Sequence, residues 1–374
     1  MKKTESKMTI EPQISKARRN LILNRSKALV QRLTEFQVLK GKPVQIAEME
    51  LTDMCTLLKE LLLKEPSCLP LTLDPSLNIV GDVHGHYTQL LQVLNAIGHP
   101  PNAQYLFLGN FVNRGEKSIE TLALLFAYKL LYPRQIFLLR GNHECDQLGK
   151  MYGCYAECNR RFSSRLWRVL MDTFNCLPVA ALIDNRFFCS HSGISPTLIY
   201  SGYTGPKALQ EYISRWIPRP TEIETNLLAT HLIWSEPDAD VEEWERNPAG
   251  LGYLYGPSAV NEFCRQFQLF HVIRSNGLLP RGYEFFPHSQ LVSIFSAPDF
   301  MGTHRNCGSM LTLTHLEDSQ TVLCRIKSLR PVFLTRGGKA TGRKILSIED
   351  IKPNSPWSTR VFTAEDVYKT CQAK

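Results

Sequence analysis

Four short stretches hold residues of a type and spacing that could do chemistry. In "GDVHG", Asp82 and His84 stand two residues apart between glycines. "GNFVNRG" carries Asn110 and Asn113, "GNHE" carries Asn142 and His143, and "SHSG" carries His191. Carboxylate, imidazole and amide oxygen are ligands for a borderline divalent metal such as manganese, iron or zinc. Two residues apart just past a strand, Asp82 and His84 can turn toward one point. Alone, "GDVHG" is a weak signal, because such a glycine turn is common. Followed in order by "RGNHE", at intervals of about thirty residues, it becomes a strong one.

The elements that would position these residues follow a repeated rhythm. "LNIVGDVHG" is an apolar run entering a polar loop, and "YTQLLQVLNAIG" behind it reads as a helix. "AQYLFLGNFVNRG", followed by "SIETLALLFAYKLLYP", repeats the arrangement. "RQIFLLRGNHE" and "NRFFCSHSG" give two further strand-to-loop passages. Alternating strands and helices predict an α/β fold with helices covering sheet faces, and polar residues just past strand ends are where such sheets build sites. Upstream, "ALVQRLTEFQVLKG" and "AEMELTDMCTLLKELLLKEP" have helical spacing, the second ending at Pro66. The expected organisation is a disordered basic extension over 1–28, one domain over 29–330 and a tail over 331–374, partly ordered at best. No internal repeat or low-complexity segment is present.

Bulk properties narrow the function classes. With 374 residues, 43% hydrophobic and 21% charged, the chain can bury a real core. It has no apolar run of about 18 residues, so no membrane span is expected. "MKKTESKMTI" lacks a signal-peptide core, so the expected location is the cytoplasm, the nucleus or both. The eleven cysteines then read as free thiols. Cys154 and Cys158 in "CYAEC" have no second ligand pair near them, so no zinc site is expected there. Of the net charge of +8, much sits in residues 1–26, where Lys2, Lys3, Lys7, Lys16, Arg18, Arg19 and Arg25 face only Glu5 and Glu11. Such a run is ordinarily a solvated tail. Nucleic-acid binding has no motif behind it.

The sequence resembles the catalytic subunit of the PPP-family serine/threonine protein phosphatases, the type-1 branch most of all. The resemblance runs from about residue 29 to residue 330. It rests on "GDVHGHY", "YLFLGNFVNRG", "LLRGNHE", "YGCYAECNRRF", "FNCLPVAALID", "LIWSEPDADV", "RGYEFF" and "LVSIFSAPDFMG". It implies a calcineurin-like metallophosphoesterase fold, a central β-sandwich flanked by helices, with two metals at the sheet edge. In active members a water bridging two metals attacks a phosphoserine or phosphothreonine. The first metal would be held by Asp82, His84 and position 110, the second by position 110, Asn142, His191 and position 276. His143 would donate a proton, and Arg114 would grip phosphate.

Several of these positions depart from the family pattern. Asn110 replaces a bridging aspartate, Asn276 a histidine, and Asn113 the aspartate that orients the proton donor. Ala249 stands for a phosphate-gripping arginine and Phe300 for a tyrosine. An amide is neutral, and its nitrogen cannot ligate. The expected cofactor is therefore one divalent ion at Asp82 and His84 rather than two. Asn113 could still accept a hydrogen bond from His143, without stabilising its charged form. Losses of about 2–4 kcal/mol each in transition-state stabilisation would together disable catalysis. Two readings stay open: a non-catalytic, phosphatase-like protein that binds regulators or phosphoproteins, and a slow metal-dependent phosphatase. The resemblance also implies an apolar docking groove for short regulator motifs, at Phe187, His271, Phe285, Val322, Cys324 and Ile326. There an extended peptide would add along a sheet edge. His271 departs from a leucine.

Overall fold

A computed structural model describes residues 14–35, 43–316, 321–336, 339–350 and 359–362, with side chains described as far as Pro331. Two sheets lie face to face. The first has six strands, β1 (Cys68–Leu71), β5 (Ala180–Ile183), β6 (Phe187–Ser190), β10 (His271–Arg274), β12 (Leu291–Ile294) and β11 (Tyr283–Phe285), in that spatial order. The second runs β15 (Lys339–Asp350), β14 (Val322–Arg336), β13 (Gly308–His315), β2 (Ser76–Val80), β3 (Tyr105–Phe107) and β4 (Ile136–Leu138), and β16 (Thr359–Phe362) also pairs with β14. β7 (Glu236–Pro237), β8 (Trp244–Arg246) and β9 (Tyr253–Tyr255) make a small third sheet.

Three apolar clusters explain the layering. Leu77, Ile79, Leu106, Leu182's neighbours Ala181 and Ile183, Ile294 and Leu311 fill the space between the two large sheets. Outside the second sheet pack α1 (Lys16–Thr34), α2 (Glu48–Leu62), α3 (Tyr87–Ile97) and α4 (Ser118–Leu131). With them are α5 (Asp146–Met151), α6 (Cys154–Arg161) and α7 (Ser164–Phe174). Outside the first sheet lie α8 (Pro196–Ile199), α9 (Pro206–Trp216), α10 (Leu227–Trp234) and α11 (Pro257–Phe267). α4 is buried nearly all round, which is why its sequence reads as a continuous apolar run rather than a stripe. The expected β-sandwich flanked by helices is thus present.

Both ends differ from expectation. The basic extension drawn over 1–28 gives way to helix at Lys16, with Ser15 capping Arg18 N–H. Ile22, Leu29 and Leu33 of α1 are buried in the outer core. Its basic residues are spent on α2: Arg18 and Arg25 both pair with Asp53, at 3.0 and 3.2 Å, and Arg19 pairs with Glu60 at 2.6 Å. Residues 1–13 of that extension lie outside the described residues. At the other end, the boundary at 331 falls inside β14, which continues to Arg336 and pairs with β15 across Gly337 and Gly338. Residues 351–358 and 363–374 of the tail lie outside the described residues.

Candidate functional site

The polar loops converge because their strands do. β2, β3 and β4 are parallel neighbours, so Asp82 and His84, Asn110 and Asn142 all follow the same ends of one sheet. β6 and β10, parallel in the other sheet, bring His191 and Asn276 to meet them. A bridge between Asp82 and Phe295 ties the two sheets together at this edge. The backbone is held open here: His84, Asn110, Asn113, Arg114 and Asn276 all have positive φ, between 45° and 72°. Asparagine and histidine tolerate that region better than most residues, whereas arginine occupies it only where the surroundings impose it. The Asn110 and Asn142 loops nearly touch. A Cβ on Gly109 would sit 2.4 Å from the Gly141 nitrogen, so neither glycine can be replaced without moving the other loop.

Asp82 is the centre of this edge. Its Oδ1 accepts from the Ser275 hydroxyl at 2.5 Å and from Asn276 N–H at 3.2 Å. Its Oδ2 lies 3.0 Å from Asn110 Nδ2 and 3.2 Å from His84 Nε2. Burial pushes its carboxyl up, but hydrogen bonds and charges from His84, His191 and Ser275 outweigh that and hold it well below the usual carboxylate range. His84 Nδ1 donates to the Val112 carbonyl at 3.1 Å. A neutral His84 ring would then set its Nε2 lone pair against the Asp82 carboxylate, so that contact calls for a proton or a metal cation between them. His191 is similar. Its Nδ1 donates to Leu108 O at 2.9 Å, burial pushes its pKa down to about 4, and its Nε2 faces Asn142 Oδ1 at 3.3 Å.

The orientation of the two loop asparagines follows from backbone donors. His143 N–H can only donate, and it lies 2.9 Å from Asn110 Oδ1. The other end of the amide, the NH2, therefore faces Asp82. Asn113 is pinned in the same way, its Oδ1 accepting from Cys154 N–H at 3.0 Å. Its Nδ2 thus donates to His143 Nδ1 at 2.9 Å. This corrects the expectation that Asn113 accepts from His143. With Nδ1 serving as acceptor, the imidazole carries its proton on Nε2 and stays neutral. Burial, with the charges of His84 and others adding to it, pushes its pKa down to about 2.

Asn276 completes the closure. Its Nδ2 donates to Ser192 Oγ at 2.9 Å and to Glu236 Oε1 at 3.1 Å, and its Oδ1 accepts from Asn142 at 3.3 Å. Arg114 is exposed, with its guanidinium 3.5 Å over the Tyr152 ring. Phe300 packs against His84 and Phe295. Ala249 lies in an exposed loop, its N–H bonded to Asn247.

Three residues emerge that the sequence reading passed over. Glu144, directly after His143, is fully buried and holds three backbone N–H groups, those of Asn110 and Gly141 on Oε2 and Phe111 on Oε1, at 2.8 to 2.9 Å. It therefore sets the shape of the Asn110 loop. Its carboxylate inside "RGNHE" was the available signal. Ser275 orients Asp82, and Glu236 orients Asn276; neither spacing nor type marked them.

The six groove residues are brought together but not opened. Phe187, Val322, Cys324 and Ile326 belong to the apolar layer between the sheets, with Phe285 packed against it. His271, paired in register with Phe187, is 5% exposed, and its Nδ1 bonds the Phe270 carbonyl.

Residues 76–275 match the family described as Metallophos, calcineurin-like phosphoesterase. The chain belongs to that family. A solved protein serine/threonine phosphatase from Saccharomyces cerevisiae, described as similar to human phosphatase PP5, superposes with a TM-score of 0.72 at 25% identity, covering 83% of this chain and 97% of that one. A cold-active protein-tyrosine phosphatase from a psychrophilic Shewanella superposes with a TM-score of 0.46 at 15% identity, covering 70% and 81%. The family's chemistry uses divalent metals. Asp82 and His84 have donor atoms suited to such an ion, with one negative charge between them. Asn110 turns a nitrogen toward the same point, which is the wrong atom for a ligand. Among the described residues, no group of three or more His, Cys, Asp or Glu side chains could hold a metal.

Proposed function

We propose that this chain is a serine/threonine phosphatase-like protein, nearest the type-1 branch, whose catalysis is impaired and which acts by binding phosphatase regulators or phosphoproteins. The observation that carries the reading is the Asn110 amide, whose nitrogen faces Asp82 because His143 N–H holds its oxygen. A bridging carboxylate would give each of two cations an anionic oxygen. Here the second position keeps only Asn142 and His191, both neutral, and the first keeps Asp82 and His84. One manganese-class ion is the expected load. The proton donor is weakened as well, since a neutral imidazole that accepts at Nδ1 is a poor acid. The yeast phosphatase at 25% identity supports a phosphoserine or phosphothreonine protein as the ligand class.

A slow phosphatase is the second reading, favoured by the opposed lone pairs of Asp82 and His84, which suit one retained cation. Turnover of phosphoserine peptides and of an aryl phosphate by the full-length, manganese-loaded protein tests both. The expected result is activity near background, unchanged in Asn113→Asp, because orienting the acid is useless without a two-metal nucleophile. Robust manganese-dependent turnover by the wild type would overturn the impaired reading.

A further inference from the structure

We infer that β16 is a built-in occupant of the sheet edge at which a docking peptide would add, so that an extended peptide binds there only by displacing it. The inference rests on the docking reading of the groove. On one side β14 pairs with β13, from Val322 opposite His315 to Leu329 opposite Gly308. Its other side is shared: β15 covers Lys327 to Arg336, and β16 covers Val322 to Arg325. Both run antiparallel to β14, so they travel in the same direction. Asp350 stands opposite Lys327 and Thr359 opposite Arg325. β15 therefore covers this edge as far as Lys327, and β16 takes up the same line from Arg325, closing the stretch that β15 leaves open.

That stretch includes Val322 and Cys324, two of the residues assigned to the groove. An open edge strand offers unpaired N–H and C=O groups to any extended chain. Here those groups are matched in register, Val322 with Phe362, Leu323 with Val361, Cys324 with Arg360 and Arg325 with Thr359. "TRVF" suits the task, since threonine, valine and phenylalanine are good strand formers. The energetics favour a displaceable occupant. Four residues of pairing supply only a few hydrogen bonds, each worth about 1 kcal/mol net. Only eight residues of sequence separate β15 from β16, and so short a connection gives β16 an effective concentration on the order of millimolar. A weak strand so tethered outcompetes a dilute peptide and yields to a tight one.

The test uses full-length protein and a fluorescent peptide with the sequence of residues 356–366. In Val361→Pro, a proline that cannot donate to the ladder removes the internal strand. Amide hydrogens of residues 322–325 should exchange slowly in the wild type and faster in the variant. The peptide should bind the variant about tenfold more tightly, since the competing state no longer reduces the available fraction. Equal protection in the two proteins, or equal peptide affinity, would overturn the inference. Thr359→Pro is the second variant should Val361→Pro not yield folded protein. An apolar-aromatic docking peptide, run alongside, separates the two ideas. If the 356–366 peptide gains affinity for the variant and the docking peptide binds neither protein, the internal occupant stands and the docking reading falls.

Discussion

At Asn110 and Asn113 an NH2 stands where a carboxylate would present a second oxygen, and the fold decides which way each amide turns. The identities were plain from the sequence, and so was the loss of charge. The orientations were not, because they depend on N–H groups of His143 and Cys154, which reach these loops only through the tertiary structure. Spacing can place a side chain on a loop, but it cannot say which atom of an amide faces inward. Glu144 was illegible for the same reason. Its role is to gather three backbone donors from two loops, and no periodicity records that. Glu144→Gln keeps the shape but turns an NH2 against at least one of those donors. It should destabilise the protein by about 1–3 kcal/mol, the cost of leaving buried donors unpaired. Urea unfolding checks this, and an unchanged midpoint would show that the loop does not depend on the carboxylate.

Among the elements, the strands that end in polar loops were readable because each apolar run stops at a glycine-flanked turn. α1 was readable only in its second half. Its first turns are basic, and on their own such residues look like a solvated tail. The acidic partners Asp53 and Glu60 sit on α2, so the pairing exists only once the helices pack. Ion pairs of this exposure add little, about 0–1 kcal/mol each, so burial of Ile22, Leu29 and Leu33 must hold the helix. Leu29→Ala should then cost about 2–5 kcal/mol in unfolding free energy. An unaffected midpoint would return α1 to the status of a loose extension. Beyond Pro331, the strand pairing of β14 with β15 was obscured by the basic residues Arg336, Lys339, Arg343 and Lys344.

Across the whole molecule, two sheets and two helical layers bury polar groups as well as apolar ones. His231, on α10, meets Ser195 Oγ at 2.8 Å, and burial pushes its pKa down to about 4. The unfolded chain takes up that proton near pH 6.5, before the folded one does, so stability falls as pH drops from about 6.5 through 4. Urea midpoints measured across that range check the slope, and a flat profile shared by wild type and His231→Gln would remove His231 as a source. Where the two sheets meet at Asp82, the proposed ligand set holds a single divalent ion. Elemental analysis of full-length protein, loaded with manganese and then desalted, tests it most directly. No more than one ion per chain is expected, lost in Asp82→Asn; two ions per chain at near-full occupancy would overturn the single-ion reading.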